Sequence, residues 1–139
     1  MRNISFSATT EKIRAHKKHA TRRYSTRPKS IWKNLKPNQH LMGIEKGQGL
    51  KKGEKVTYLE EIIVLQVNQE PLSDIIRNPF RKIPINIDRE YTGSVYVPET
   101  TLEGFPQWSI TPGNFVKLFC EMNKCEPETE ITRILFDYV

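Results

Sequence analysis

The densest group of chemically reactive side chains is the segment from His16 to Arg23. Its eight residues carry four cations, one threonine hydroxyl and two imidazoles. Lys and Arg side chains hold phosphate through charge-assisted hydrogen bonds. A lysine among other cations has a disfavoured charged form, so its neutral amine can take the proton of a nearby threonine hydroxyl. The pattern therefore fits a phosphate-binding or acyl-transfer site, and an ordinary solvated basic turn is the alternative.

Positive charge is concentrated in the first part of the chain. Residues 1–55 contain 15 Lys or Arg and 3 Asp or Glu, a balance of +12, and residues 56–139 contain 7 basic and 13 acidic residues, a balance of −6. Such an asymmetry makes one face attractive to polyanions. We expect a nucleic-acid or phosphate ligand, and a basic N-terminus that only aids solubility is the alternative.

The sequence offers no pattern for a metal site or a membrane segment. Cys120 and Cys125 lack a second cysteine pair and a nearby histidine, and His19 and His40 have no ligand partners at metal spacing. Two reduced thiols are typical of a cytosolic protein. No signal-peptide or membrane-spanning stretch is visible. We expect a cytoplasmic protein without a metal or cofactor, and the oligomeric state stays open.

The length of 139 residues suits one domain with one core. Alternating or continuous apolar residues predict strands at 4–6, 20–24, 41–45, 56–67 and 131–139, the fourth of them buried on both faces. Helices are predicted from Thr9 or Thr10 to about 16–18, at 70–76, and from a Thr111 cap with Pro112 in the first position. The apolar face of this last helix is predicted to consist of Phe115, Leu118, Phe119 and Met122. Residues 24–34 are expected to form a loop, and 77–101 are expected to be irregular with short β-like pieces at 85–87 and 95–97. The prediction is a mixed α+β fold with a small sheet or barrel.

Strand geometry constrains the basic segment. Side chains alternate along a strand, so Thr21 and Arg23 share one face and Lys18 would point to the other. Lys18 can join them only if a turn intervenes, which the predicted helix end at 16–18 supplies.

Two tryptophans and one glycine-rich stretch are further candidates for contacts with a ligand. Trp32 lies in a basic loop and Trp108 precedes the last helix, and each can stack on a base or pack in the core. Gly43, Gly47, Gly49 and Gly53 with nearby lysines suggest a phosphate-gripping loop. The Walker spacing is absent, so an ordinary flexible hairpin is the preferred interpretation.

Several segments together resemble the ASCH domains of the PUA-like superfamily. Lys18-x-x-Thr21-x-Arg23 is similar to the family signature G-x-K-x-x-T-x-R, the run 35–39 resembles the K-P-G-D turn, and Glu103-Gly104 resembles the E-G segment. The last strand resembles the closing strand of the family. The likeness covers most of the chain apart from 24–34 and 77–101, which look like insertions.

Two departures from the family pattern affect the expected site. His16 stands where the family usually has Gly, and Asn38-Gln39 replaces Gly-Asp. The second change removes an acidic side chain from the pocket rim, so the ligand is expected to differ if that Asp binds ligand in relatives.

The resemblance implies one PUA-like domain over residues 1–139, a small β-barrel with two or three short flanking helices and a cleft between them. Family members are linked to RNA binding, to nuclease activity and to deacetylation of acetylcytidine nucleosides. In the deacetylating members a Thr, a Lys and a Glu are catalytic. Carried over, Thr21 is the nucleophile, Lys18 its base and Glu103 the orienting or proton-transfer acid, while Arg23 holds a carbonyl or phosphate.

We therefore expect RNA or a modified nucleoside as the partner. The first hypothesis is RNA binding through a basic cleft; substrate-binding residues are predicted to be Lys17, Arg22, Arg23, Trp32 and Lys36. The alternative is an enzyme, either an amidohydrolase for acetylated cytidine or a ribonuclease. Under both, Lys18, Thr21, Arg23 and Glu103 are expected to converge on one concave site. A small enclosed pocket there favours a nucleoside, and an open groove reaching Trp32 favours a polymer.

Overall fold

A computed structural model describes residues 1–24, 31–47, 50–83, 95–106 and 109–139. Its strands are β1 Arg2–Ser5, β2 Ala20–Arg23, β3 His40–Ile44, β4 Tyr58–Pro71, β5 Phe80–Ile83, β6 Val95–Pro98 and β7 Glu130–Tyr138. Its helices are α1 Thr10–Arg14, α2 Asp74–Arg77, α3 Glu99–Leu102 and α4 Pro112–Asn123, with a 3-10 turn at Ile31–Asn34. Within these residues no helix has the length and apolar character to cross a membrane.

Five strands form one curled, half-barrel sheet in the order β1-β3-β4-β7-β2. β1 pairs with β3 in parallel, and the other neighbours are antiparallel. The long β4–β7 ladder shifts register between Val64 and Gln66, and such a bulge increases local twist. The predicted mixed α+β class and barrel-like sheet are confirmed, although the described residues contain four helices where two or three were expected.

The closing strand β7 is buried on both faces because different elements cover each side. Ile134 and Phe136 pack in a cluster with Ile13 of α1, whereas Leu135 packs with Leu102 of α3 on the other side. α2 and α4 form a third cluster near the start of the strand. The packing of Leu102 and Leu135 with Ala20 thereby places α3 beside β2, which carries Thr21.

Several local predictions were wrong. In β4, Ile62 and Val64 are buried but Ile63 is only half-buried, so the strand is not equally buried on its two faces. In the region 77–101, the β-like piece predicted at 95–97 is confirmed as part of β6, whereas its antiparallel pairing with β5 and the helix α3 were not predicted. The predicted helix at 70–76 begins only at Asp74, because the ladder with β7 extends β4 to Pro71. Residues 85–87 and Trp108 lie outside the described part.

The helix α4 begins as predicted and buries a different face. Thr111 caps it by accepting a hydrogen bond from the Asn114 N–H at 3.1 Å, with Pro112 in the first turn. Phe115 is buried as expected. Leu118 and Met122, which belong to the same predicted apolar face, are exposed, and Val116 is buried in their place. The exposed residues instead form a wall of the cavity described below.

Gly104, directly after α3, allows this short helix to approach α1 closely. Its φ is +106°, a conformation that residues with a Cβ rarely adopt. A Cβ built on it would lie 3.2 Å from Lys12 Cγ and 3.4 Å from Lys18 Cβ. The absence of a side chain here therefore lets Glu103 sit beside Lys18.

We predict that Gly104→Ala lowers the free energy of unfolding by about 1–3 kcal/mol, the usual cost of a strained backbone conformation. Urea denaturation measures this change in the free energy of unfolding. Gly113→Ala in α4 is the control, because no atom lies within 4 Å of its Cβ position and alanine favours a helix. Equal effects of the two substitutions would contradict this account of Gly104.

Candidate functional site

The turn that carries Lys18 is fixed by backbone hydrogen bonds to two other elements. The His19 N–H donates to Leu102 O of α3 at 2.7 Å, and the Phe136 N–H of β7 donates to His19 O at 2.8 Å. The Tyr138 hydroxyl donates to Lys18 O at 2.6 Å. The chain reverses before this point at His16, whose φ is +55°. As predicted, a turn therefore precedes β2 and lets Lys18 reach the side where α3 lies.

Lys18 and Glu103 form a buried ion pair. Lys18 Nζ donates to the Glu103 carboxylate Oε1 at 3.0 Å and to the Glu103 backbone O at 2.7 Å, and each residue is only 4% exposed. Burial lowers the pKa of Lys18 below its usual 10.5, and the charge of Glu103 only partly offsets this. Two of the three ammonium donors are thus used by Glu103, and one position on the nitrogen remains for a ligand.

Behind this pair, the ionic contacts continue into the interior. The second oxygen of Glu103 accepts from Arg22 Nη1 at 2.7 Å, and Arg22 Nη2 donates to Glu99 at 2.8 Å. Arg133 of β7 donates to both oxygens of Glu99, at 3.0 and 2.7 Å. We call Lys18, Glu103, Arg22, Glu99 and Arg133 the buried ionic chain. It joins β2 and β7 to α3 by alternating charges.

Glu99 is fully buried and is the carboxylate most surrounded by cations. Burial alone would raise its pKa, but hydrogen bonds from Arg133 and the charges of Arg22 and Arg133 outweigh it, so the pKa of Glu99 lies below its usual 4.5. The ionised form is therefore the one that the fold stabilises.

A cavity of about 580 Å³ opens in front of Lys18, Thr21 and Glu103. Arg23 also lines it, so the predicted convergence of these four residues is confirmed, while their chemical roles remain predictions. One wall is aromatic and aliphatic and comes from α4 and the preceding loop. Its members are Phe105, Phe115, Leu118, Phe119 and Met122. The arrangement is a polar floor between apolar walls, which is typical of small-molecule sites.

The Thr21 hydroxyl faces this cavity without an internal partner. Among the described residues it makes no hydrogen bond, and no hydrogen bond joins it to Lys18 Nζ. Proton transfer between them would require a bridging water or a rotation of one side chain. The hydroxyl is thus available both for binding and, after such a change, for chemistry.

Arg23 and Trp32 form the end of the cavity away from α4. The Arg23 guanidinium lies 5.2 Å from the Phe6 ring and 5.6 Å from the Trp32 ring, and it donates to Ser5 O at 2.7 Å. Within the described chain, no carboxylate lies within ion-pair distance of it. Burial lowers the pKa of Arg23 to about 10, against the opposing charge of Glu103. Arg23 is thus a partly buried cation, and no direct counter-ion for it lies in the described part of the chain.

The remaining predicted binding residues lie elsewhere or are differently engaged. Arg22 borders the cavity, but both of its terminal nitrogens bind carboxylates, so it supports Glu103 in place of contacting a phosphate. Lys17 and Lys36 are exposed and do not line the cavity. No group of three or more His, Cys, Asp or Glu side chains in the described ranges could hold a metal ion.

Sequence patterns missed Glu99, Arg133 and the α4 wall. Glu99 and Glu103 lie four residues apart, which is the spacing of two residues on one helix face. This spacing would have grouped the two carboxylates if the helix α3 had been predicted. Arg133 lies on β7 between Ile131 and Leu135, which are the neighbours on its own face of the strand and are both buried. An arginine in such a buried position requires a carboxylate partner.

Fold and site together define a small α+β protein with a curled sheet and a cavity above a buried Lys–Glu–Arg cluster. No family model matches the chain, and no curated protein matches it. Among solved structures, the chain is similar over its full length to the whole of hypothetical protein PH0355, with a TM-score of 0.56 at 12% identity. It is also similar to protein EF3133 from Enterococcus faecalis V583, described under DUF984, with a TM-score of 0.52 at 14% identity, over 100% of this chain and 80% of that one. These likenesses show the fold alone.

We predict that Glu99→Gln lowers the free energy of unfolding by about 3–5 kcal/mol at pH 7, because it leaves Arg133 buried without a carboxylate partner and Arg22 with Glu103 alone. Since the folded-state pKa of Glu99 is depressed, this stabilisation is present above pH 4.5 and is lost as pH falls through the folded-state value. Urea denaturation from pH 7 to pH 3 should show the difference between variant and wild type narrowing on acidification.

The matched control for this prediction is Glu128→Gln. Glu128 also binds an arginine, Arg77, at 2.8 Å, but its side chain is 65% exposed. An exposed pair contributes little, so this variant should unfold much as the wild type does. A Glu99→Gln protein as stable as the control at pH 7 would show that the buried ionic chain does not hold the fold.

Proposed function

We propose that this protein is an ASCH-type, PUA-like RNA-binding domain that holds single-stranded RNA in the cleft above Lys18, Thr21 and Glu103. The observation that carries the proposal is the shape of the cavity. It has a polar floor, apolar walls, and an extension from Thr21 as far as Trp32.

A nucleobase matches the walls and the floor. Proteins recognise unpaired RNA bases by stacking them on aromatic side chains and hydrogen-bonding their edges. Phe105, Phe115 and Phe119 supply aromatic surface on one side. Below them, Lys18 and the Thr21 hydroxyl supply donors and Thr21 and Glu103 supply acceptors. The floor is charged but internally paired, which favours a polar, uncharged base edge over a phosphate.

A polymer is a better match than a free nucleoside. The cavity reaches from the floor to Arg23 and Trp32, so a base in it leaves room for the strand to continue. The basic half of the chain supplies the surrounding surface, with a balance of +12 over residues 1–55. That charge attracts phosphate over long range even though Lys18 and Arg22 are paired internally.

Backbone conformation supports the ASCH assignment. His16 and Asn38 stand where the family pattern has glycine, and their φ values are +55° and +71°. Glycine adopts that conformation freely, and asparagine and histidine are enriched there among other residues. Gly104, in the segment that resembles E-G, also has a positive φ. The three positions at which the family pattern has glycine thus share a positive φ, which is the backbone conformation that favours glycine.

We predict that the protein binds single-stranded RNA more tightly than duplex RNA and that affinity falls as salt rises, with a slope near −0.7 in log K against log salt for each phosphate contacted. Trp32→Leu should weaken binding by about 1–3 kcal/mol if one base stacks on Trp32. Fluorescence anisotropy with a panel of labelled RNAs at two salt concentrations measures both effects.

Tyr96→Leu is the control, since Tyr96 is an aromatic residue that is 69% exposed and lines neither this cavity nor its neighbours. It should bind as the wild type does. Absence of binding to every RNA at low salt would remove the proposal, and equal losses from the two variants would remove the cleft as the binding surface.

The lowered pKa of Lys18 favours a second candidate, an amidohydrolase acting on acetylated cytidine. A buried lysine with part of its population neutral is a competent base. The Thr21 hydroxyl lines the same cavity. The missing hydrogen bond between these two residues in the described chain is the reason that we place this function second.

Once a side-chain rotation or a bridging water connects Lys18 with Thr21, the steps of such a reaction balance with these groups and one hydrolytic water. Neutral Lys18 takes the Thr21 proton while Thr21 Oγ1 attacks the acetyl carbonyl, and the protonated Lys18 then returns that proton to the departing cytosine amine as the C–N bond breaks. Water, deprotonated by Lys18, hydrolyses the acetyl-threonine and restores both residues. Glu103, bound by two cations, orients Lys18 throughout.

For this second candidate we predict that kcat/KM rises with pH and levels off below pH 10.5, since neutral Lys18 is the active form and its pKa is lowered. Thr21→Ala should abolish turnover and keep the fold. Release of cytidine from N4-acetylcytidine, followed by chromatography, measures the rate. If the wild type leaves acetylcytidine and related acylated nucleosides intact, the enzymatic candidate is excluded while RNA binding is unaffected.

A further inference from the structure

A second cavity, of about 620 Å³, adjoins the first. The two share a wall made by Ser5, Ser7, Arg23 and Trp32. The far side of the second cavity comes from β1, the end of β3 and the segment after it. Nothing in the buried ionic chain reaches this cavity, so its chemistry is separate from that of the Lys18 floor.

The second cavity has mixed polar and apolar lining with one further cation. Asn3 supplies an amide, Ser5 and Ser7 supply hydroxyls, and Ile44 and Val56 supply apolar surface. Lys46 lines it as well, and its ammonium lies 3.7 Å from a Glu54 carboxylate oxygen. Both members of that pair are partly exposed, so the contact is weak and leaves Lys46 able to bind an anion.

Arg23 lies at the boundary of both cavities, and its charge has no carboxylate partner within the described residues. Only one of its donors is used by a backbone oxygen, Ser5 O. A partly buried cation without an anion has lost part of its hydration, and an anion placed at the boundary would compensate for that loss. The guanidinium fork suits the geometry of a phosphate.

We propose that the two cavities are adjacent nucleotide subsites for one RNA strand: the first holds a base above Lys18 and Thr21, the second holds the neighbouring base between Trp32 and Asn3, and Arg23 contacts the phosphate that joins them. The proposal rests on the proposed RNA binding and adds to it a minimal ligand, the dinucleotide step. Lys46 contacts the next phosphate along the strand.

The arrangement of the two cavities with Arg23 between them favours a dinucleotide over other anions. Each cavity combines an aromatic or apolar wall with hydrogen-bonding side chains, as a base requires, and a cation stands between them. A free nucleoside would fill one cavity and leave Arg23 unpaired. A phosphopeptide would need a cation for its phosphate, but it has no bases that could occupy the two cavities.

The test compares ligands of increasing length by isothermal titration calorimetry. The probes are the common ribonucleosides, their 3′-monophosphates and the set of dinucleoside monophosphates. The favoured dinucleoside monophosphate should bind about tenfold or more tightly than either of its nucleosides, which is within the gain expected from one added stacked base. Its affinity should fall with salt with a slope near −0.7, as one contacted phosphate requires.

Variants separate the two subsites. Of the two cavities, Asn3 lines only the second. Asn3→Ala should therefore weaken binding of the dinucleoside monophosphate severalfold and leave nucleoside binding unchanged. Lys46→Ala should weaken the binding of longer oligonucleotides only, and it should reduce the magnitude of their slope of log K against log salt by about 0.7. Lys82→Ala removes the same charge from an exposed position on β5 outside both cavities, and it should change neither.

The outcomes distinguish this inference from the function on which it rests. If no RNA binds the wild type at all, RNA binding itself fails. If RNA binds but dinucleoside monophosphates bind no better than nucleosides, and Asn3→Ala and Lys46→Ala bind as Lys82→Ala does, RNA binding stands and the second subsite is rejected. Tighter binding of a nucleoside 3′-monophosphate with no gain from a second base would leave Arg23 as a phosphate contact and also reject the second subsite.

Discussion

The ion pair of Lys18 with Glu103 is the contact on which the site depends. It ties the turn before β2 to the end of α3, two segments separated by 85 positions in sequence. Taking a lysine and a glutamate out of water costs several kcal/mol each, and only close mutual hydrogen bonds offset that. The 2.7 and 3.0 Å contacts meet this requirement, and Gly104 makes them possible by leaving space beside Lys18.

The pair is stable because further charges stand behind it. Arg22 bridges Glu103 and Glu99, and Arg133 closes the other side of Glu99. Each charge of the buried ionic chain thereby has an opposite neighbour, and α3 is held against β2 and β7 by these ion pairs in addition to the apolar packing of Leu102. These two kinds of contact explain why a helix of one turn can carry a residue in the floor of the cavity.

The same arrangement determines what the cavity can recognise. The cations nearest its floor are neutralised by carboxylates, so the floor offers directional hydrogen bonds in place of a large net charge. Arg23 is the exception, since in the described structure it has aromatic neighbours and no carboxylate within ion-pair distance. The exposed Leu118 and Met122 supply apolar surface above the floor, at the expense of their own burial. A ligand with a flat apolar body, polar edges and an anionic link matches all three features.

Local patterns in the sequence determined the class of the fold, most strands, the start of α4 and the basic segment that contains Lys18, Thr21 and Arg23. These follow from short-range rules: alternation along strands, a Thr-Pro helix start, and charge density in one segment. Glu103 was located through the resemblance of Glu103-Gly104 to a family segment.

Tertiary structure alone decided the rest, because it depends on which distant segments meet. Nothing in the local sequence shows that Arg22 binds the carboxylates of Glu99 and Glu103, whereas Arg23, the next residue of β2, donates to a backbone oxygen and lines the cavity. Nor does it show that Arg133 in β7 stabilises Glu99, or that Leu118 and Met122 line a cavity in place of the core. A side chain's charge and polarity are local properties, whereas its burial and its partner are set by the packing of segments far apart in the chain.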